Sequence, residues 1–211
     1  MAGTTVIVSG LPRSGTSMMM RMLDAGGLPL LVDAERPPDT DNPLGYYEFA
    51  PVKRLREDAS WMPEAAGRAV KVLSFLLPAI PPYVHGHIIF MERDMEELLA
   101  SQRAMVVRRA TAGAVDASKA DPAQLDLEDA RLRGLYARHL ESVRGWMGTQ
   151  ANLCVLYMAY GTVLNDPQGA ARQITDFLNL RLDEAAMARA VEPGLYRQHR
   201  PRDGAYPKIS P

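Results

Sequence analysis

Residues 6–17 read Val6-Ile7-Val8-Ser9-Gly10-Leu11-Pro12-Arg13-Ser14-Gly15-Thr16-Ser17, and Met18-Met19-Met20-Arg21-Met22-Leu23 follows directly. A β-branched run enters a loop bracketed by two glycines, and the loop opens into an apolar segment that reads as a helix. The backbone N–H groups of a helix's first turn have no intrahelical acceptor, and the helix dipole adds partial positive charge at that end. A strand, a tight turn and a helix N-terminus in this order therefore make an anion site before any side chain contributes.

The Gly10-x-x-x-x-Gly15 spacing matches the glycine frame of a nucleoside-triphosphate P-loop, but Thr16 stands where that motif needs its lysine. The cation sits three places earlier, at Arg13.

Working outward, 211 residues with 47% hydrophobic content suit one globular domain spanning 1–211. A net charge of −1 argues against a partner that is a long nucleic acid. The lone Cys154 rules out a disulfide framework and a cysteine-rich zinc site. No second histidine stands at metal-ligand spacing from His139, so no metal site is expected. The first strand begins within a few residues of Met1, and no apolar run approaches about 18 residues. The expectation is a cytoplasmic protein without membrane insertion; the oligomeric state is left open.

Gly26-Gly27 reads as the cap of the first helix and Leu28–Val32 as a short edge strand. Residues 33–67 lose regular periodicity and hold five prolines, the mark of a long functional or mobile excursion. Within it, Asn42-Pro43-Leu44-Gly45-Tyr46-Tyr47-Glu48-Phe49 presents a glutamate among aromatics. Composition alone favours a solvated loop carboxylate there; burial among rings would instead suit Glu48 to general base chemistry.

Residues 68–74 predict a second core strand in which Lys71 is the odd residue, expected to snorkel to solvent. Residues 86–94 predict an uninterrupted apolar strand, and Met95, Leu98, Leu99, Gln102, Met105 and Val106 recur with helical spacing behind it. Arg93 thus lies at a strand-to-helix junction, where open α/β sheets bind ligands. Ser101, eight residues on, can add a hydroxyl beside it. The competing reading of Arg93 is an ion pair with Glu92, Glu96 or Glu97.

Residues 113–123 are small and polar, a lid or a plain connection. From Gln124 to Gly148 one helical face carries Leu132, Leu135, Tyr136, His139, Leu140, Val143 and Trp146, with His139 read as a satisfied, partly buried histidine. Asn152–Met158 predicts the last strand, with Cys154 as an inert core thiol. Helices are expected from about Pro167 to Leu180 and from Asp183 to Val191.

The frame Pro12-Arg13-Ser14-Gly15-Thr16-Ser17 resembles the 5′-phosphosulfate-binding loop of the sulfotransferases that use 3′-phosphoadenosine 5′-phosphosulfate (PAPS). Arg93 with Ser101 resembles the 3′-phosphate-binding signature of the same family. On these two motifs, in this order, the chain is identified as a member of the family, of the bacterial type. The resemblance implies a three-layer α/β fold of P-loop NTPase type, with a central parallel sheet of four or five strands and helices on both faces.

It further implies that Arg13, Ser14, Gly15, Thr16, Ser17, Arg93, Ser101 and Tyr160 bind the nucleotide. Tyr160 opens Tyr160-Gly161-Thr162-Val163-Leu164-Asn165-Asp166-Pro167, which resembles the family's Tyr-Glu-x-Leu-x-x-Asp-Pro element with Gly161 in the glutamate's place. Lys71 falls where the family often carries a lysine, but Leu73 replaces the histidine that serves as base in some members. Asn42-x-x-Gly45-Tyr46-x-Glu48 resembles the stretch whose glutamate takes that role in the arginine-bearing branch. The implied catalytic set is Arg13, Glu48 and Lys71, with His85 or His87 as the other candidates for the base. Arg202-Asp203-Gly204 is a faint echo of the family's Arg-Lys-Gly loop.

The implied reaction is sulfuryl transfer from PAPS to a hydroxyl, or second to it an amine, of a small molecule, releasing adenosine 3′,5′-bisphosphate without a metal. The competing functions are a small-molecule or nucleotide kinase and a catalytically silent nucleotide-binding protein.

Overall fold

A computed structural model describes residues 3–192 and 194 of the chain. Its centre is β1 (Thr5–Gly10), every residue of which is buried. A continuous apolar strand is the pattern of a parallel sheet covered on both faces, and β1 is covered by partners on both edges as well. With β2 (Ala69–Lys71), β3 (Gly86–Glu92) and β4 (Leu153–Ala159) it forms an all-parallel sheet of order β2-β1-β3-β4. Val8 pairs with Lys71, Gly10 with Met91, and Glu92 with Ala159, so the carboxyl ends of the strands lie along one rim.

Side chains alternate between the two faces with the strand's period of two. Val6, Val8, Ile89 and Met91 pack against α1 (Thr16–Ala25), α5 (Pro167–Leu178) and α6 (Glu184–Arg189) through residues such as Met19, Ile174 and Met187. Ile7, Val70, Ile88 and Phe90 pack on the other face against Val143 and Met147 of α3 (Pro122–Gly148) and against Trp61, Met62 and Leu77. The fold is therefore three-layered α/β with a four-stranded parallel sheet.

Aspartates start most of the helices. Asp94 caps α2 (Met95–Thr111) through the amides of Glu96 and Glu97 at 2.9 and 3.2 Å. Asp121 does the same for α3, and Asp166 and Asp183 for α5 and α6. Each such cap satisfies an orphan N–H and contributes about 1 kcal/mol. The remaining helix is α4 (Tyr160–Asn165), and Ala117–Ala120 forms a single 3-10 turn within the 113–123 connection.

Several local expectations change. Leu28–Val32 gives one parallel bridge, Leu30 to Ala69, rather than a strand, because Pro29 has no N–H to extend the ladder. The 68–74 strand shortens to three residues at the sheet's edge. Cys154 is exposed, not a core thiol. It sits on the other edge strand in register with His87, and the helix layer reaches only as far as Phe177 against the His87 ring, 5.0 Å between centroids. Leu135 turns outward with 45% exposure, although Tyr136 and Val143 of the same helix are buried. His139 is held by Ser74 Oγ at 2.9 Å and stacks on Phe75. Arg202, Asp203 and Gly204 lie outside the described residues.

Candidate active site

The turn between β1 and α1 is built by backbone geometry that its sequence permits. Gly10 and Gly15 have φ of 143° and 102°. A Cβ on Gly15 would fall 2.4 Å from the Tyr160 ring, so only glycine lets the loop close against α4. Arg13 itself is left-handed at φ 70°, a conformation uncommon for a residue with a side chain. That turn aims the guanidinium across the rim toward α2, where Arg13 Nε donates to Ser101 Oγ at 3.0 Å. Burial lowers the Arg13 pKa from its usual value, with Asp41 opposing the shift.

Arg93 lies just past β3, its side chain only 7% exposed. It donates from Nη1 to the Arg13 carbonyl at 3.1 Å and pairs through Nε with Glu97 at 3.3 Å. Its guanidinium lies over the Tyr160 ring, 4.5 Å from the centroid. The ion pair expected for Arg93 is present, made with Glu97, and it orients a cation that faces the loop. Glu92 and Glu96 are engaged by Arg144 and Arg133.

Lys71 does not reach solvent. At 7% exposure it ends β2 beneath the irregular segment, donating to the Tyr46 carbonyl and lying 3.5 Å from Ser17 Oγ and 3.7 Å from Glu48 Oε1. Burial lowers its pKa to about 8, against the pull of Glu48. Glu48 is 23% exposed and also pairs with Arg36 Nη1 at 2.9 Å. Arg36 lies on the Tyr46 ring at 3.3 Å, and the Tyr46 hydroxyl donates to Asp39 at 2.7 Å.

These residues surround a cleft of about 390 Å³ on the carboxyl rim of the sheet. Thr16, Ser17, Tyr160, Ser101 and Leu73 line it together with Arg13, Arg93, Lys71 and Glu48. Seven of its lining side chains are arginine or lysine and three are carboxylates, although the whole chain carries a net charge of −1. Such a concentration of one sign in a low-dielectric cleft attracts anions.

The remaining candidates lie elsewhere. Ser14 is buried with its hydroxyl unpartnered on the far side of the loop, against Leu11, Phe90 and Leu98. Its amide donates to the Leu11 carbonyl at 3.2 Å. His85 and His87 stand at the amino end of β3, where Thr5 N donates to the His85 carbonyl. Five residues of strand, roughly 16 Å, separate His87 from Glu92 at the rim. Neither histidine reaches the cleft.

Six charged cleft residues escaped the sequence reading: Arg21, Arg36, Asp41, Arg108, Arg109 and Glu192. Helical spacing carries a signal for two of them, since Arg108 and Arg109 lie seven and eight residues beyond Ser101, two turns on along α2. Asp41 carries none, because its partners are 67 and 68 residues away, and Arg36 carries none, because its partners Glu48 and Tyr46 share no regular element with it. Asn42 Nδ2 donates to Ser17 Oγ at 3.0 Å, and the Asp41 carbonyl lies 3.5 Å from Arg13 Nη2. Residues 41–46 therefore rest on the phosphate-type loop through Arg13 and Ser17, and on the end of β2 through Lys71.

Fold and site together define an α/β protein with a phosphate-binding type of loop feeding a cationic cleft. The chain matches the sulfotransferase domain family over residues 3–198, and it belongs to that family. Among solved structures, a sulfotransferase of Mycobacterium avium, STF9, is 13% identical with a TM-score of 0.55, covering 90% of this chain and 68% of its own. The sulfotransferase domain of the Synechococcus PCC 7002 olefin synthase is 15% identical with a TM-score of 0.49, covering 95% and 90%. Mouse sulfotransferase SULT7A1, solved in complex with PAP, is 14% identical with a TM-score of 0.47, covering 89% of this chain and 62% of its own. No curated protein matches the chain in sequence. No helix among the described residues is long and apolar enough to cross a membrane.

Proposed function

We propose that this sulfotransferase domain, spanning 1–211, uses PAPS as donor and a hydroxyl of a small molecule as acceptor. The observation that carries the reading is the pairing of two cationic stations on one rim. Arg13, Thr16, Ser17 and Lys71 belong to one and Arg93 with Ser101 to the other, in a cleft dominated by positive charge, and in the free chain the Arg13–Ser101 bond joins the two. The donor set suits a nucleotide with anionic groups at both ends, and the contacts that residues 41–46 now make to Arg13, Ser17 and Lys71 would be exchanged for it.

Sulfuryl transfer is the chemical analogue of phosphoryl transfer, in which the protein mainly positions and neutralises. The new O–S bond forms as the bond from sulfur to the donor's bridging oxygen breaks. Arg13 neutralises the charge that grows on that oxygen. Glu48 takes the acceptor's proton, and Lys71 steadies the sulfonate. Ser101 and Arg93 fix the far end of the nucleotide, and Tyr160 supports Arg93 from below.

The test is a thermal-shift titration with adenosine 3′,5′-bisphosphate in parallel with ATP and magnesium. Stabilisation by the bisphosphate alone is the expected result. Stabilisation by ATP with magnesium alone would replace this reading with a kinase.

A further inference from the structure

Arg108 and Arg109 are adjacent on α2, and neighbouring positions on a helix ordinarily point apart. Here both converge on one carboxylate. Arg108 holds Asp41 Oδ1 from Nε at 2.9 Å and Nη2 at 2.8 Å, and Arg109 Nε holds Oδ2 at 3.0 Å. The Asp41 side chain is 3% exposed, while the two arginines are each 35% exposed toward the cleft. Three charge-assisted bonds on a desolvated carboxylate make a built anion site, occupied by a residue of the chain itself.

Its position separates it from Ser101 and Arg93, the groups assigned to the far end of the donor. It lies about 11 Å along α2 beyond Ser101, away from the strand end that carries Arg93. It is next to Arg13 nonetheless, because the Asp41 carbonyl lies 3.5 Å from Arg13 Nη2. Met105 lines the cleft between Ser101 and Arg108, and Arg36 on Tyr46 lines it from the irregular segment. Asp41 belongs to a tight turn closed by the Asp39–Asn42 bridge and outside any strand or helix, so no regular element has to shift for its side chain to leave the two arginines.

We propose that Arg108 and Arg109 form an acceptor subsite for an anionic group, that Asp41 fills it in the free chain, and that a hydroxylated acid displaces Asp41 when it binds as acceptor. The proposal rests on the sulfotransferase reading for the word acceptor; the anion site itself rests on the geometry alone. The carboxylate of such an acceptor would anchor on α2 and turn its hydroxyl toward Arg13 and Glu48.

The experiment is calorimetric titration of the protein, with and without saturating adenosine 3′,5′-bisphosphate, using a panel of hydroxylated carboxylic acids each paired with its primary amide. At least one acid should bind roughly tenfold or more tightly than its amide. Asp41→Asn should raise the acid's affinity further and leave the amide's unchanged. Combining Asp41→Asn with Arg108→Gln and Arg109→Gln should abolish the discrimination, with circular dichroism reporting that the triple variant remains folded. The proposal is overturned if no acid outbinds its amide, or if the preference survives in the folded triple variant. Failure of the bisphosphate itself to bind counts against the donor assignment instead, and the acid and amide titrations without nucleotide still decide the subsite.

Discussion

The loop at residues 10–17 and the segment at 36–48 meet over one cleft, yet they are held in opposite ways. The loop is a local object: β1 is buried throughout, α1 starts at Thr16, and two glycines and the left-handed Arg13 set the turn between them. The segment has no strand or helix of its own in residues 36–48 and is held by side chains reaching far along the chain. Arg108 and Arg109 grip Asp41, Ser17 and Lys71 grip the Tyr46 carbonyl, and Arg36 and Lys71 flank Glu48. A backbone-built site keeps its shape when one side chain is lost, whereas a side-chain-built one loses its anchor. The chemistry assigned to each side follows the same division, with charge neutralisation on the loop and proton transfer on the segment.

Substitutions on the two sides should therefore separate. Glu48→Gln is expected to lower turnover about 10²- to 10⁴-fold, the usual worth of a general base, with adenosine 3′,5′-bisphosphate affinity retained. Retained turnover would move the base elsewhere; bisphosphate binding without any transfer in the parent protein would favour a silent nucleotide-binding role. Arg13→Ala should cost roughly 10²- to 10³-fold, as for loss of one preorganised charge, and should weaken the bisphosphate as well. A variant that turns over at the parental rate would break the assignment of charge neutralisation to the loop.

Lys71 joins the two sides, and its burial gives a pH signature. Its folded pKa of about 8 lies below the ordinary 10.5, so between these values the unfolded chain binds more protons than the folded one. The Lys71 contribution to stability should thus rise as pH climbs from about 8 to about 10.5, by at most about 3 kcal/mol, and be level outside that window. Comparing melting temperatures of the parent and Lys71→Met across pH 7–11 isolates it, because groups common to both proteins cancel and the difference between the two slopes is the Lys71 part. The smallest effect is expected for Tyr46→Phe, which removes the hydroxyl's bond to Asp39 and costs about 1 kcal/mol in denaturant unfolding. A much larger loss would mean that the segment is more cooperative than a set of separate tethers.

The legibility of these regions in the sequence runs parallel to how they are held. The strand, the glycines and Arg13 of the loop are neighbours in the chain, and the eight-residue step from Arg93 to Ser101 stays within one junction. The loop is legible because its parts are built from chain neighbours, and the second motif because one strand-to-helix junction carries both its residues, although the hydrogen bond that Ser101 makes is to Arg13, 88 residues away. Lys71 reads as a solvent-seeking lysine because the group that covers it, the Tyr46 carbonyl, lies 25 residues away. Cys154 reads as a core thiol for the converse reason: an apolar strand looks the same in the middle of a sheet and at its edge, and only strand order put β4 outermost. The Asp41 clasp left no trace, since its partners are 67 and 68 residues distant.

By itself, then, the sequence determined the alternation of strands and helices, the glycine-framed turn after the first strand and the strand-to-helix junction that carries Arg93, because propensity, periodicity and turn chemistry act over a few residues. The tertiary structure alone decided which cations face the cleft, which carboxylates restrain them and that both candidate histidines stand at the wrong end of the sheet. Those outcomes depend on strand order and register, which bring together groups that no local rule relates.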